Sequence, residues 1–447
     1  MEHNKVFFGT DGVRGKVGKN GITPEFFLHL GMASGRIFSS LTANPVVIIG
    51  KDTRISGQML ESALQAGFVS AGVDVIHAGC IPTPAVAYLT KSLRLTAGVV
   101  ISASHNSYED NGIKFFDKNG FKLPDHLEKK IESSLLESPI CNDSSKLGVV
   151  NKLDDAIGRY VEFCKGTFSN KNGLDGLHIV VDASHGSSYQ SIETVLVELG
   201  AKVSAIASEP NGLNINKNVG TNNPKNISSA VLELSGDFGV ALDGDGDRLL
   251  MVDSKGTIFQ GDELLFSIAK ERIREKGLSS VQGIVGTLMS NFGLEKAINA
   301  KGLEFRRSRV GDRYISEMLR ETGWEFGGEN SGHILCMNHH TTGDGIINAL
   351  QVLQALLNND TTLCEWNEEL KLMPQSLLNV PIKNCNEWYK KEEFMRAQER
   401  IKKTLGEDGR ILVRPSGTEP LLRIMVEAKD RKTSLSFAKE LAASLKK

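Results

Sequence analysis

Short apolar runs that stop at polar loops recur along the chain. VVIIG (46–50), HIVVD (178–182) and GIVGT (283–287) each lead into a polar loop, an amphipathic stretch and a glycine. Apolar runs bounded by turn residues read as buried strands, and apolar residues at helical spacing read as helices packed on them. In the second stretch Ile192, Val195, Leu196 and Leu199 keep helical spacing, and Gly200 stands where a helix stop is expected. One βα unit is therefore used three times, and the unequal, domain-sized separations exclude a solenoid array. Polar turn formers collect at 137–146 and 253–262, and the pattern changes again at Met373 and Pro374. These points place domains at 1–150, 151–256, 257–372 and 373–447. The last domain runs strand NVPI, helix KEEFMRAQERIKKTL, strands RILVRPSG and LLRIMVEAK and a closing helix, a small α+β pattern. The expected fold is α/β with four domains, three of them related, around a central cleft to which each domain contributes a loop.

Composition narrows the partners. The 447 residues are 40% hydrophobic, 24% charged and 6% aromatic, with a formal charge of -2. That balance excludes a disordered chain and a basic nucleic-acid surface, and it points to small-molecule partners. The run MEHNKVFFGTDG has no apolar core of signal-peptide length, and no uncharged apolar run reaches the roughly 18 residues of a membrane span. A cytoplasmic protein with no membrane partner is expected. The six cysteines, whose closest pair is Cys364 and Cys385, form neither a CxxC site nor a dense disulfide framework.

Four loops carry candidate chemistry. In ISASHNSYEDNGIKFF (101–116) Ser104 follows the apolar run AGVVI, and Lys114 lies ten residues on. A serine on a loop leaving the carboxyl end of a strand stands where open α/β sheets hold ligands. His105 follows directly, but adjacent residues of an extended chain point apart and no GxSxG elbow is present, so a Ser-His hydrolase is set aside. In FGVALDGDGDR (238–248) Asp243, Asp245 and Asp247 alternate with glycines and share one face of an extended chain. Three such carboxylates repel one another unless a hard cation sits among them, and oxygen ligands suit Mg²⁺. An EF-hand fails, because Arg248 replaces the loop glycine and Ser254 the bidentate glutamate.

The third loop, FGGENSGH (326–333), offers Glu329 and Ser331 to vicinal hydroxyls and His333 to a phosphate or a proton. The fourth, RPSGTEPLLR (414–423), sets Arg414, Ser416, Thr418 and Arg423 around Gly417, a phosphate cradle without P-loop spacing. Two further segments add cations. FGTDGVRG (8–15) holds Arg14 in what reads as a glycine-flanked loop, whereas Lys51 and Arg54 in GKDTRISG are expected to position Asp52 and a helix start.

SASHN…NGIK, DGDGDR, GENSGH and RPSGTEP, in that order and at domain-scale spacing, resemble the α-D-phosphohexomutase family over nearly the whole chain. The resemblance implies a heart-shaped fold of three α/β/α units with mixed sheets and a smaller α+β domain around an active-site cleft. It implies phosphoryl exchange between the two ends of a hexose or hexosamine phosphate, closest to the hexosamine branch. Ser104 is then the phosphoserine and, with Asp243, Asp245 and Asp247, a Mg²⁺ ligand. Lys114 and His333 become acid/base candidates, with Arg14 and Arg248 beside the transferring phosphoryl. Glu329 and Ser331 hold sugar hydroxyls, and Arg414, Ser416, Gly417, Thr418 and Arg423 grip the distal phosphate. A hexose or hexosamine 1,6-bisphosphate is the implied activator, and a dimer is favoured by resemblance alone. A neutral-sugar mutase and a metal-dependent sugar phosphatase are the alternatives. Ser107 stands where the family usually has proline, which predicts a less rigid loop. Arg309 replaces a common lysine and gives up proton transfer there. His185 is expected to be structural.

Overall fold

The computed structural model describes residues 7–9, 11–19, 21–381, 391–415 and 421–445. Its first sheet comprises β1 (Val13–Lys16), β2 (Val46–Lys51), β3 (Asp74–Cys80), β4 (Ala97–Ile101), β5 (Asp110–Asp117) and β6 (Val150–Lys152), in the order β1-β5-β4-β2-β3-β6. The second holds β7 (His178–Asp182), β8 (Lys202–Ile206), β9 (Phe238–Leu242), β10 (Leu249–Asp253) and β11 (Ile258–Phe259), ordered β11-β10-β9-β7-β8. The third holds β12 (Gly283–Thr287), β13 (Glu304–Ser308), β14 (Phe326–Gly328) and β15 (Ile334–Cys336), ordered β13-β12-β14-β15. The fourth is antiparallel, with β16 (Gln375–Pro381), β17 (Gly409–Pro415) and β18 (Leu421–Ala428) in the order β16-β18-β17.

The repeat is visible in strand order. The three predicted units open at β2, β7 and β12, and each sheet contains the same run: β5-β4-β2-β3, β10-β9-β7-β8 and β15-β14-β12-β13. Pairing in each run is parallel except at its first strand, which returns antiparallel. The loops holding Ser104, the aspartates and Glu329 are all the connection into that return strand. Three chemically different loops therefore occupy one topological position at the carboxyl end of a buried strand.

Burial on both sheet faces explains the unbroken apolar runs. Along β2, Val47 and Ile49 join one core with Phe27, Leu30, Leu60 and Phe68, while Ile48 joins the other with Val86 and Leu89. Helices Pro24–Leu41 and Ser56–Ser70 cover the first face and Thr83–Ser92 the second. The second core continues without a break through the second and third domains. Arg313 also ties the third domain to the first, pairing with Asp125 and Glu128. The fourth domain has a core of its own around Phe394, Ile401, Ile424 and Leu441. It is tethered to the third by Arg410, which donates to the Leu288 carbonyl at 2.9 Å and the Ser290 carbonyl at 2.6 Å. Among the described residues no helix is long and apolar enough to cross a membrane.

Candidate active site

β4 is buried along its whole length and ends at Ile101, so the following loop starts inside the protein. Ser104 is 1% exposed and takes a left-handed φ of 51°. Such a conformation costs a non-glycine residue on the order of 1–3 kcal/mol and persists where surrounding bonds impose it. Here they are numerous. Ser104 N–H donates to Ser102 Oγ at 2.9 Å, and Ser102 Oγ–H donates to Asp52 Oδ2 at 2.6 Å. Arg54, fully buried, pairs with Asp52 at 2.8 Å and donates to the carbonyls of Ser104 (3.0 Å), Asn106 (2.8 Å), Asp110 (3.0 Å) and Ser107. From the second domain Asn216 reaches the Ser104 and Asn106 carbonyls at 2.8 and 2.9 Å, and Asn222 the His105 carbonyl at 2.7 Å.

Two expectations change. Arg54 was given only a part in setting Asp52 and the helix start, yet it clamps the loop, and this clamp includes the carbonyl of Ser107. The order that proline would impose through φ is supplied by hydrogen bonds. The left-handed turn at Ser104 also means that the chain is not extended there, so His105 does not point away: its Nδ1 lies 3.2 Å from Ser104 Oγ. Ser104 gives its hydroxyl proton to Asp243 Oδ2 at 2.8 Å, so the neighbouring imidazole is left to donate. Burial and then the cations Arg248 and Arg14 push His105 down to about 4, keeping it neutral.

Asp243, Asp245 and Asp247 place one carboxylate oxygen each within 4.8 Å of one another, all buried. Lys114, on β5 opposite Val100, points in beneath them, with Nζ 2.8 Å from Asp245 Oδ2 and 3.2 Å from Asp247 Oδ2. Asp11 Oδ2 lies 3.3 Å from the same nitrogen, and Thr83 donates to Asp245 at 2.6 Å. Burial alone lowers Lys114, but Asp11, Asp245 and Asp247 outweigh it and raise it, so it stays charged. Burial and the repulsion of Asp247 and Asp245 raise Asp243 far above the carboxylate range. Asp245 Oδ1 and Asp247 Oδ1 are buried without a hydrogen-bond partner among the described residues. A carboxylate whose burial disfavours its charge and two buried carboxylate oxygens without hydrogen bonds fit a hard divalent cation.

Arg248 sits 4.0 Å from both Asp243 and Asp247. Arg14 is corrected in position: it lies on strand β1, opposite Gly112, not in a loop, and it pairs with Asp11. Nε of each arginine is buried without a hydrogen-bond partner among the described residues. On the third loop His333 is 3% exposed, with Nδ1 3.4 Å from Asp247 Oδ1 and Nε2 3.5 Å from Asp312 Oδ2. Burial pushes this imidazole down, but Asp247 and Asp312 together raise it to about 9. Glu329 accepts from the Gly311 N–H at 2.9 Å, and Ser331, exposed, lies 3.4 Å from its other oxygen. The Leu249 N–H donates to the Gly332 carbonyl at 3.0 Å, which joins this loop directly to the exit of the aspartate loop.

In the fourth domain Arg414 and Arg423 are direct cross-strand partners on β17 and β18. Like charges placed opposite each other destabilise a sheet unless an anion lies between them. Burial and then Arg423 lower Arg414, and the Nε atoms of both are buried without a hydrogen-bond partner among the described residues. Ser416, Gly417 and Thr418 lie outside the described residues. Arg309 stacks on Tyr314 at 3.8 Å from the ring centre. His185 is satisfied, its Nδ1 accepting from the Glu209 N–H at 3.2 Å and its carbonyl from Thr53 at 2.6 Å.

Asp11, Asn216, Asn222 and Asp312 are not singled out by the sequence. Asp11 and Asp312 sit in the glycine-flanked FGTDG and VGDRY, which was the available signal.

Known proteins match the chain in sequence and in fold along its whole length. Residues 5–139, 158–256, 260–372 and 377–444 match phosphoglucomutase/phosphomannomutase domains I, II and III, each described as alpha/beta/alpha, and the C-terminal domain, in that order. The chain is 52% identical to the phosphoglucosamine mutase of Janthinobacterium sp. (strain Marseille), covering 99% of this chain and 100% of that one. It is 54% identical to the phosphoglucosamine mutase of Aromatoleum aromaticum, covering 98% of each. A crystal structure of a phosphoglucomutase/phosphomannomutase family protein from Burkholderia thailandensis superposes with a TM-score of 0.81 at 22% identity, covering 98% of this chain and 96% of that one. Aspergillus fumigatus N-acetylphosphoglucosamine mutase, solved with GlcNAc-6P and magnesium, shares the fold with a TM-score of 0.68 at 16% identity, covering 99% and 96%. The chain thus belongs to the phosphoglucomutase/phosphomannomutase family, the α-D-phosphohexomutases, and carries all four of its domains in sequence.

Proposed function

We propose that the protein interconverts glucosamine 6-phosphate and glucosamine 1-phosphate, with Ser104 carrying the phosphoryl group through a 1,6-bisphosphate intermediate. The observation that carries the chemistry is the 2.8 Å bond from Ser104 Oγ to Asp243 Oδ2, which joins the carrier on one domain to the acidic triad of the next. The choice of an amino sugar follows from the full-length relatives.

The outbound transfer forms a P–O bond to a sugar hydroxyl and breaks the bond to Ser104 Oγ, the sugar hydroxyl losing its proton and Ser104 regaining one. The return transfer forms the bond to Ser104 Oγ and breaks the P–O bond at the other end of the sugar, with Ser104 losing its proton and the sugar oxygen gaining one. Such a reaction needs in-line placement and charge neutralisation more than covalent help. Lys114, Arg14 and Arg248 supply fixed positive charge on the protein side of the phosphoryl. Asp243, Asp245, Asp247 and a phosphate oxygen on Ser104 would hold a magnesium ion, which would supply Lewis-acid stabilisation of the charge developing on that group. His333, with Nε2 making no hydrogen bond among the described residues, is placed to give a proton to a sugar oxygen and take it back. Glu329 and Ser331 read the ring hydroxyls. Arg414 and Arg423, with Ser416, Gly417 and Thr418, hold the phosphate that is not reacting. The bisphosphate turns over in the cleft and returns its other phosphoryl to Ser104. Added 1,6-bisphosphate restores enzyme that has lost the group.

Turnover of glucosamine 1-phosphate is expected to exceed that of glucose and mannose 1-phosphates. A preference for either neutral sugar overturns the amino-sugar assignment, and release of inorganic phosphate at the rate of isomerisation overturns the mutase. Chelation of divalent cations is expected to lower turnover by at least about 100-fold, with Mg²⁺ restoring it and raising the melting temperature. Undiminished turnover in chelator argues against a metal at the triad.

A further inference from the structure

We infer that Asn216, on the second domain, is a positioning residue for Ser104 of the first, holding the phosphoryl-carrying loop in register with the aspartate loop. The inference rests on the reading of Ser104 as the phosphoryl carrier. Asn216 uses both hydrogens of its carboxamide on that loop, donating to the Ser104 carbonyl at 2.8 Å and the Asn106 carbonyl at 2.9 Å. The same two carbonyls accept from Arg54 at 3.0 and 2.8 Å. A carbonyl oxygen has two lone pairs, so each is filled once from its own domain and once from the next. The Ser104–His105 and Asn106–Ser107 peptide planes are thereby fixed, and with the first of them the left-handed turn that aims Ser104 Oγ at Asp243.

Asn216 is itself anchored to the aspartate loop. It takes a φ of 58°, a region asparagine tolerates better than most residues, and its N–H donates to the Ser184 carbonyl at 2.9 Å. Ser184, also left-handed at 56°, donates from Oγ to the carbonyl of Leu242 at 2.6 Å, the residue before Asp243. A short polar chain therefore runs from the Ser104 carbonyl through Asn216 and Ser184 to the base of the acidic triad. Gly244, inside that triad, closes the arrangement from the other side. A Cβ there would lie 2.6 Å from Asn216 Nδ2 and 2.7 Å from the Ser104 carbonyl oxygen, so only glycine lets the three segments meet. An asparagine serving only as glue between domains would need neither both carbonyls of one reactive loop nor a second anchor on the other.

The test uses full-length Asn216→Ala and Asn216→Asp, the second keeping the side-chain size while turning an acceptor toward two carbonyls. Each is phosphorylated with glucose 1,6-bisphosphate, and the phosphoserine is followed by ³¹P NMR and intact mass beside steady-state kinetics and thermal melting. Displacement of the carrier by about 1 Å predicts a kcat loss of about 100-fold with KM little changed. The phosphoserine resonance is expected to shift or broaden, while the melting temperature moves by no more than a few degrees. A kcat within about twofold of the native value in both variants overturns the inference. So does a kcat loss that tracks a large fall in melting temperature while the phosphoserine resonance stays native. Retained turnover in Ser104→Ala removes the underlying carrier assignment and is read independently of either Asn216 variant.

Discussion

Ser104→Ala is expected to abolish sugar-phosphate isomerisation, by a factor of at least about 10⁴, while sugar-phosphate binding measured by calorimetry survives. The size of the effect follows from the absence of a substitute hydroxyl at this point of the loop. Ser102 is fully buried and commits its proton to Asp52 at 2.6 Å, with its oxygen accepting the Ser104 N–H. It supports the carrier and cannot replace it. The Asp243 oxygen that accepts from Ser104 would lose one bond, but the binding residues on the third and fourth domains are untouched, which is why affinity should persist. Intact-protein mass spectrometry after exposure to a hexose 1,6-bisphosphate adds a direct readout: native protein gains one phosphoryl and the variant none. Residual turnover near the native level in the alanine variant sinks the phosphoserine mechanism.

Arg54→Met is expected to be the most damaging substitution outside the reacting groups, costing about 3–5 kcal/mol, because it leaves a buried carboxylate without its partner. Burial already holds Asp52 above the usual carboxylate range despite Arg54 and Ser102. Removing the guanidinium also strips a donor from the carbonyls of Ser104, Asn106, Ser107 and Asp110. Lysine should recover little, since a single ammonium has three hydrogens at one point and cannot span Asp52 and four carbonyls as a planar fork does. The measurement is the denaturant midpoint of native protein against Arg54→Met, Arg54→Lys and the double variant Asp52→Asn/Arg54→Met. The double variant should regain part of the loss, because it no longer buries an unpaired charge. An unchanged midpoint in Arg54→Met contradicts the clamp.

The expected loop weakness at Ser107 shows how far local reading reaches. From sequence, the missing proline implied a freer φ and a looser loop. In the fold the Ser107 carbonyl is held by Arg54, 53 residues earlier in the chain. Loss of a local restraint is visible in a sequence, but a distant hydrogen bond that replaces it is not. Ser104 and His105 make the complementary point. Side chains of neighbours diverge on an extended strand, and that rule fails here because the surrounding bonds hold Ser104 at a φ of 51°. Arg14 was placed on a loop for the same reason: flanking glycines suggest a turn, and only pairing with β5 makes the segment a strand.

What the sequence determined by itself is what depends on near neighbours. Burial on both faces writes a strand such as β2 as an unbroken apolar run, and the glycine-spaced aspartates mark an oxygen-rich loop. They meet not by alternation on an extended chain but through a turn in which the Gly246 N–H donates to the Asp243 carbonyl at 3.1 Å with Gly246 at a φ of 75°. The three βα units and the chemistry of their loops were therefore legible one segment at a time. The tertiary structure decided which loops meet and what charge each group carries. Lys114 stays protonated because Asp11, 103 residues away, and Asp245 and Asp247, more than 130 away, surround it in a dry site. Arg54 and Asn216 hold Ser104 from two domains through bonds spanning 50 and 112 residues. Hydrogen bonds and Coulomb forces act over a few ångströms regardless of chain separation, so their partners exist only once the fold has brought them together.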